Sequence, residues 1–104
     1  MLIVAFIALA AGRPFYTSGV TGSQIATLCQ ATTDNKNVNG CTAYSLGVYD
    51  ALSQQAVICG GSVVTIEQIV AVSKKAFADH PEDWSKPPSF LIGAAFKKAF
   101  PCSP

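Results

Sequence analysis

The sequence predicts an all-α fold, a small bundle of four short helices stabilised by two intramolecular disulfides. Three observations lead there. Two segments carry the S/T-x-x-E/Q spacing of a capping box ahead of apolar residues at helical spacing, Thr21 with Gln24 and Thr65 with Gln68. The four cysteines, at 29, 41, 59 and 102, include no C-x-x-C pair, which suits a disulfide framework better than a zinc site. The one strand-like run, Val63-Val64-Thr65, is too short and has no partner run.

The first helix is expected over about Thr21 to Ala31, with Ile25, Leu28 and Cys29 on one face. The turn-formers of TTDNKNVNG end it. Asn39 is the expected N-cap of the second helix, Cys41 to about Gln55. Its apolar content is high almost all round, the pattern of the central, most buried helix. Gly60 and Gly61 then interrupt the chain, since glycine takes conformations other residues avoid.

The third helix follows Thr65 and places Glu67 in its first turn, where the helix dipole favours negative charge. Ile66, Ile69, Val70 and Phe77 form its stripe. Pro81 stops it by Asp79 or His80, because the residue before a proline is driven out of helical geometry. The fourth helix starts near Pro87-Pro88, with Ser85 as N-cap, and runs to about Phe100. Lys97 and Lys98 lie near its negative end, and Pro101 terminates it.

Four cysteines allow three connectivities, and sequence alone does not choose among them. The favoured set is Cys29–Cys41 with Cys59–Cys102. On the chain-entropy model these loops contribute about 3 and 4 kcal/mol. Such contributions rival the whole stability of a small domain.

A chain of 104 residues supports one domain with one modest core. Its net charge is +1 and its longest basic run is a lysine pair, which argues against a phosphate-tracking surface and so against nucleic-acid binding. The opening MLIVAFIALAAG is too short for a stable membrane span, which needs about 20 residues. It has the length of a signal-peptide h-region, and Ala8-Leu9-Ala10 offers an A-x-A cleavage site, although the positive n-region is missing. Residues 1–12 are therefore expected to be a signal peptide or its remnant, and residues 13–104 a single exported domain. A buried N-terminal helix is the structural alternative.

Within the second helix, Cys41, Tyr44, Gly47, Asp50 and Ala51 follow the pattern C-x-x-Y-x-x-G-x-x-D-A. Tyr44, Gly47 and Ala51 share a face with a small-residue notch. A mid-helix glycine costs about 1 kcal/mol relative to alanine, so a close helix crossing is expected there. Asp50 beside it reads first as a structural hydrogen-bond acceptor and second as a ligand or acid.

The other constellation is DHPEDWSKPP, residues 79 to 88. Three of the six carboxylates (Asp79, Glu82, Asp83) fall here, with the only His (His80) and the only Trp (Trp84). A solvated turn accounts for the charges. Trp84 in such a turn either packs back on the core or contributes to an interface, since aromatics ringed by charge are typical of hot spots. The candidate partner-binding residues are Asp79, Glu82, Asp83, Trp84 and Lys86. No catalytic residue is expected: nucleophilic catalysis needs a base, and the lone histidine sits beside Pro81 in a turn. No metal site and no cofactor are expected either.

Taken together, Cys29, the Cys41–Ala51 pattern, Ile58-Cys59, Val64-Thr65-x-x-Gln68, His80-Pro81-Glu82 and Phe100-Pro101-Cys102 resemble the Rap/Tai family of type VI secretion immunity proteins. The resemblance covers about Thr17 to Cys102. The chain departs from it at Ala43, where many relatives carry Gly, and at Gly60-Gly61, where relatives often have Pro. The resemblance implies an all-helical fold with intramolecular disulfides, no chemistry of its own, and a periplasmic homodimer that blocks a cell-wall (peptidoglycan) amidase effector. The alternative is a stand-alone secreted scaffold or chaperone-like envelope protein without an effector. A lipid-interacting module has only the apolar opening behind it.

Overall fold

The computed structural model describes residues 18–31 and 39–103. The expected leader at 1–12 and most of the first connecting segment lie outside the described residues. Four α-helices follow in order: α1 (Gly22–Ala31), α2 (Gly40–Gln54), α3 (Ile66–Asp79) and α4 (Pro88–Ala99). Short 3-10 turns at Gly61–Val63 and Pro81–Asp83 precede α3 and α4 respectively. Among the described residues there is no strand.

Three of the four start signals act as the sequence predicts. Thr21 and Gln24 bond reciprocally, main chain to side chain, at 2.8 and 3.2 Å. Asn39 accepts from the Thr42 amide at 3.1 Å, and Thr65 with Gln68 completes the second capping box. Ser85 does not cap α4. Pro87 holds that position with ψ 138°, because Pro88 forces its predecessor into extended geometry. The helix therefore begins two residues beyond the serine's reach.

All four helices contribute to one core of Ile25, Cys29, Tyr49, Val70, Phe77, Leu91, Ile92 and Phe96 with their neighbours. The ring of Tyr49 meets Phe96 and Phe100 edge-on, at 5.8 and 5.5 Å between centroids. Its hydroxyl donates to the Gly61 carbonyl at 3.2 Å and stands where a Cβ on Gly60 would go. Gly61 itself has φ +70°, so the two glycines are needed for different reasons, space at the first and conformation at the second.

Burial corrects three expectations. α2 is not the most buried helix: it buries Cys41, Thr42, Ser45 and Tyr49, a mostly polar stripe, and its small apolar residues Ala43, Gly47 and Ala51 face outward. α4 buries more of itself, through Pro88, Leu91, Ile92, Gly93 and Phe96. Leu28 and Ile66, expected on core-facing stripes, are 46% and 40% exposed. Leu28 lies at the edge of the buried arc of α1, whereas Ile66 is in line with the buried face of α3 but is the first residue of that helix.

Both disulfides form as favoured. Cys29–Cys41 ties the end of α1 to the start of α2, and Cys59–Cys102 ties the loop after α2 to the tail after α4. Their Cα–Cα separations, 4.8 and 4.7 Å, lie within the range that a disulfide spans.

Candidate functional site

The turn between α3 and α4 is built from its own backbone outward. Pro81 interrupts α3, and the chain tightens into a 3-10 turn closed by Asp83 N–H to His80 O and Trp84 N–H to Pro81 O. Trp84 packs inward. Its indole N–H donates to the Phe77 carbonyl at 2.9 Å, which satisfies one of the carbonyls left open in the last turn of α3. The half-buried ring leans on the core.

The carbonyls of the same turn serve a second helix. Gly22 and Ser23 at the start of α1 donate their amides to Lys86 O and Trp84 O, both at 2.9 Å. These are orphan donors of the first helical turn, met by backbone rather than by a side chain. A Cβ on Gly22 would stand 2.6 Å from the Trp84 oxygen and 2.8 Å from that of Lys86. The Gly-to-turn contact went unread in the sequence. The signal present was a glycine at the first helical position of a helix already capped by Thr21 and Gln24.

The charged side chains pair along the surface. Lys75 reaches Asp79 at 2.7 Å, Lys86 reaches Asp83 at 3.1 Å, and His80 Nδ1 meets Glu82 at 3.0 Å. The Lys75 hydrogen bond holds the Asp79 carboxyl below its ordinary value. For Glu82 the His80 hydrogen bond comes first and its own backbone N–H second, with the same direction. The Lys86 ammonium also lies 4.6 Å above the ring of Phe90, which is 53% exposed.

These residues close one end of a groove of about 520 Å³ between α3 and α4. Asp79, His80 and Asp83 line that end, Val72, Ala76, Leu91 and Ala95 supply apolar lining, and Lys75 and Lys98 stand along it. The sequence did not announce the groove, because it arises from alanines on two helices that only the packing brings together.

Of the predicted site residues, Asp79, Glu82, Asp83, Trp84 and Lys86 do come together in one turn. Tyr44, Gly47 and Asp50 are elsewhere, on α2. Tyr44 is half-buried against the core, while Gly47 and Asp50 are exposed. Nothing among the described residues lies within 4 Å of where a Gly47 Cβ would stand, so the helix crossing expected there is not formed by them. His80, Glu82 and Asp83 can bring one ligand atom each within 4.8 Å of the others. The histidine takes up one carboxylate and Lys86 the other.

The folded unit bounded by the Thr21 cap and the Cys59–Cys102 bridge is also the unit that a family model matches. Residues 21–102 fit the Rap1a immunity proteins. The chain belongs to that family. No curated protein and no solved structure matches it. Membership of the Rap1a immunity proteins implies that the chain binds a cognate effector. No helix among the described residues is long and apolar enough to cross a membrane. The paired cysteines fit an oxidising, exported compartment.

Proposed function

We propose that this Rap1a immunity protein acts in the periplasm, where it binds a cell-wall amidase effector of a type VI secretion system and occludes its catalytic cleft. The family match over the whole disulfide-bounded unit carries the reading. On this reading Asp79, Glu82, Asp83 and Lys86 meet the effector, and Trp84 adds the exposed edge of its ring. The turn is held before any partner arrives, by the Trp84–Phe77 bond and by the amides of α1, so little ordering cost falls on binding. Charges at such a rim set association rate and specificity more than affinity. The protein works as a homodimer in this scheme, which light scattering on the oxidised chain would test.

The deciding experiment is a pull-down from the envelope fraction of the source cells with the oxidised chain as bait. One stoichiometric peptidoglycan amidase supports the proposal. A scatter of unrelated clients would instead make the protein a chaperone-like scaffold.

A further inference from the structure

The two disulfides differ in their access from solvent. Cys29 and Cys41 are both 0% exposed, inside the core cluster. Cys59 is exposed and Cys102 half-buried, and Val57, Gly61, Pro101 and Ser103 around them are exposed as well. Thiol–disulfide exchange requires a thiolate to reach a sulfur of the bridge, so access separates the two. A reductant meets Cys59–Cys102 at the surface, whereas Cys29–Cys41 is reached only after α1 and α2 part.

Both ends of the exposed bridge are held by contacts that do not depend on it. On the loop side Ile58 is buried in the core, and the Tyr49 hydroxyl donates to the Gly61 carbonyl at 3.2 Å. On the tail side the Phe100 ring packs against Tyr49 and Phe96, at 5.5 and 5.7 Å between centroids. The Cys59 N–H to Phe100 O bond joins the two sides at 3.0 Å. The Cys102 Sγ lies 3.4 Å from the Ala56 carbonyl oxygen, which can accept from the S–H that reduction creates.

Backbone conformation marks the same place. Among the described residues, Ala56 (φ +57°) and Ser103 (φ +66°) are the non-glycine residues in the left-handed region. Ala56 takes that geometry just past the end of α2, with its carbonyl beside Cys102, and Ser103 directly follows Cys102. Such residues persist where the surrounding structure over-determines them, and they collect at switch regions.

We infer that Cys59–Cys102 is a redox switch, opened by a dithiol reductant and re-formed while the bundle stays folded, and that Cys29–Cys41 is a permanent staple. One thiolate of the dithiol attacks the Cys59 Sγ, the S–S bond breaks, and its electron pair leaves on the Cys102 Sγ. The second thiolate of the reductant then displaces the Cys59 thiolate and closes the reductant's own disulfide. Two electrons pass to the bridge, and the two protons of the dithiol end on Cys59 and Cys102. The contacts on either side keep the two thiols in place for re-oxidation. The inference stands on the bridges alone and does not depend on which effector the protein binds.

The test uses the full oxidised chain in native buffer at room temperature, with dithiothreitol as the dithiol. Samples are alkylated at intervals, and intact mass with peptide mapping shows which cysteines have reacted. The expected intermediate is alkylated at Cys59 and Cys102 alone and keeps native helical circular dichroism. It should form at least about tenfold faster than Cys29–Cys41 is lost. Its rate should stay flat with urea below the unfolding transition, whereas loss of Cys29–Cys41 should accelerate, because only the buried bridge waits for opening. Removing the dithiol and adding oxidised glutathione should close Cys59–Cys102 again. Loss of both bridges together in native buffer, or of Cys29–Cys41 first, overturns the inference. An intermediate without native circular dichroism, or one that does not re-oxidise, also overturns it and makes Cys59–Cys102 an obligatory part of the fold.

Discussion

Gly22 and Trp84 secure the same junction from opposite sides. Trp84 fixes the turn to α3 through the Phe77 carbonyl, and the turn's own carbonyls receive the amides of α1. Gly22→Ala must push the turn away or give up one of those hydrogen bonds. The expected loss is about 2 kcal/mol, typical of overpacking a filled site, and urea unfolding would measure it. An unchanged midpoint would mean that the junction gives way without cost. Ser73 makes the opposite case. Its hydroxyl is fully buried on α3 with no hydrogen-bond partner among the described residues. Ser73→Ala removes an unsatisfied group at little change in volume and should stabilise by about 1 kcal/mol. A loss of stability in the same unfolding experiment would show that the hydroxyl is satisfied in solution.

At the level of elements, the helices were legible and their partners were not. Thr21, Asn39 and Thr65 announce three helix starts through local hydrogen bonds, and local bonds are what sequence spacing encodes. Burial depends on which neighbour arrives. Hence α2 looked central from its apolar letters, yet it buries a serine, a threonine, a cysteine and a tyrosine while its alanines and glycine face outward. The candidate turn was legible as a cluster because its residues are adjacent in sequence. The groove beside it was not, because it needs Val72 and Ala76 of one helix against Leu91 and Ala95 of another. The turn also has a pH dependence of defined sign. Asp79 and Glu82 both have carboxyls lowered by their native partners. Groups with depressed values contribute stability above the ordinary carboxylate range and lose it as pH falls through and below that range. Acid should therefore loosen the turn before the bundle. Trp84 is the only tryptophan and lies in this turn, so its emission should shift at higher pH than helical circular dichroism falls. Coincident transitions would show that the two ion pairs do not support the turn.

For the molecule as a whole, the disulfides decide whether there is a stable fold to display either surface. A domain of this size has roughly 5–15 kcal/mol of net stability. The two loops, with sequence separations of 12 and 43, are worth about 3 and 4 kcal/mol on the chain-entropy model. Reduction therefore removes about 7 kcal/mol, from about half to all of such a total, while the hydrophobic core stays the same. The bridges also differ in what they hold. Cys29–Cys41 staples α1 to α2, whereas Cys59–Cys102 fastens the chain before α3 to the chain after α4, beside the Cys59 N–H to Phe100 O bond of 3.0 Å. The second thus frames the helix pair that forms the groove. Replacing Cys59 and Cys102 by serine should lower the melting temperature by roughly 15–30 °C, and replacing Cys29 and Cys41 by somewhat less. Parallel thermal melts of the oxidised chain and the two double variants give the order directly. The reverse order would mean that strain or residual structure in the unfolded chain outweighs loop length. The expected order would make the α3–α4 pair, which the longer bridge frames, more sensitive to reduction than the α1–α2 junction that the shorter bridge staples.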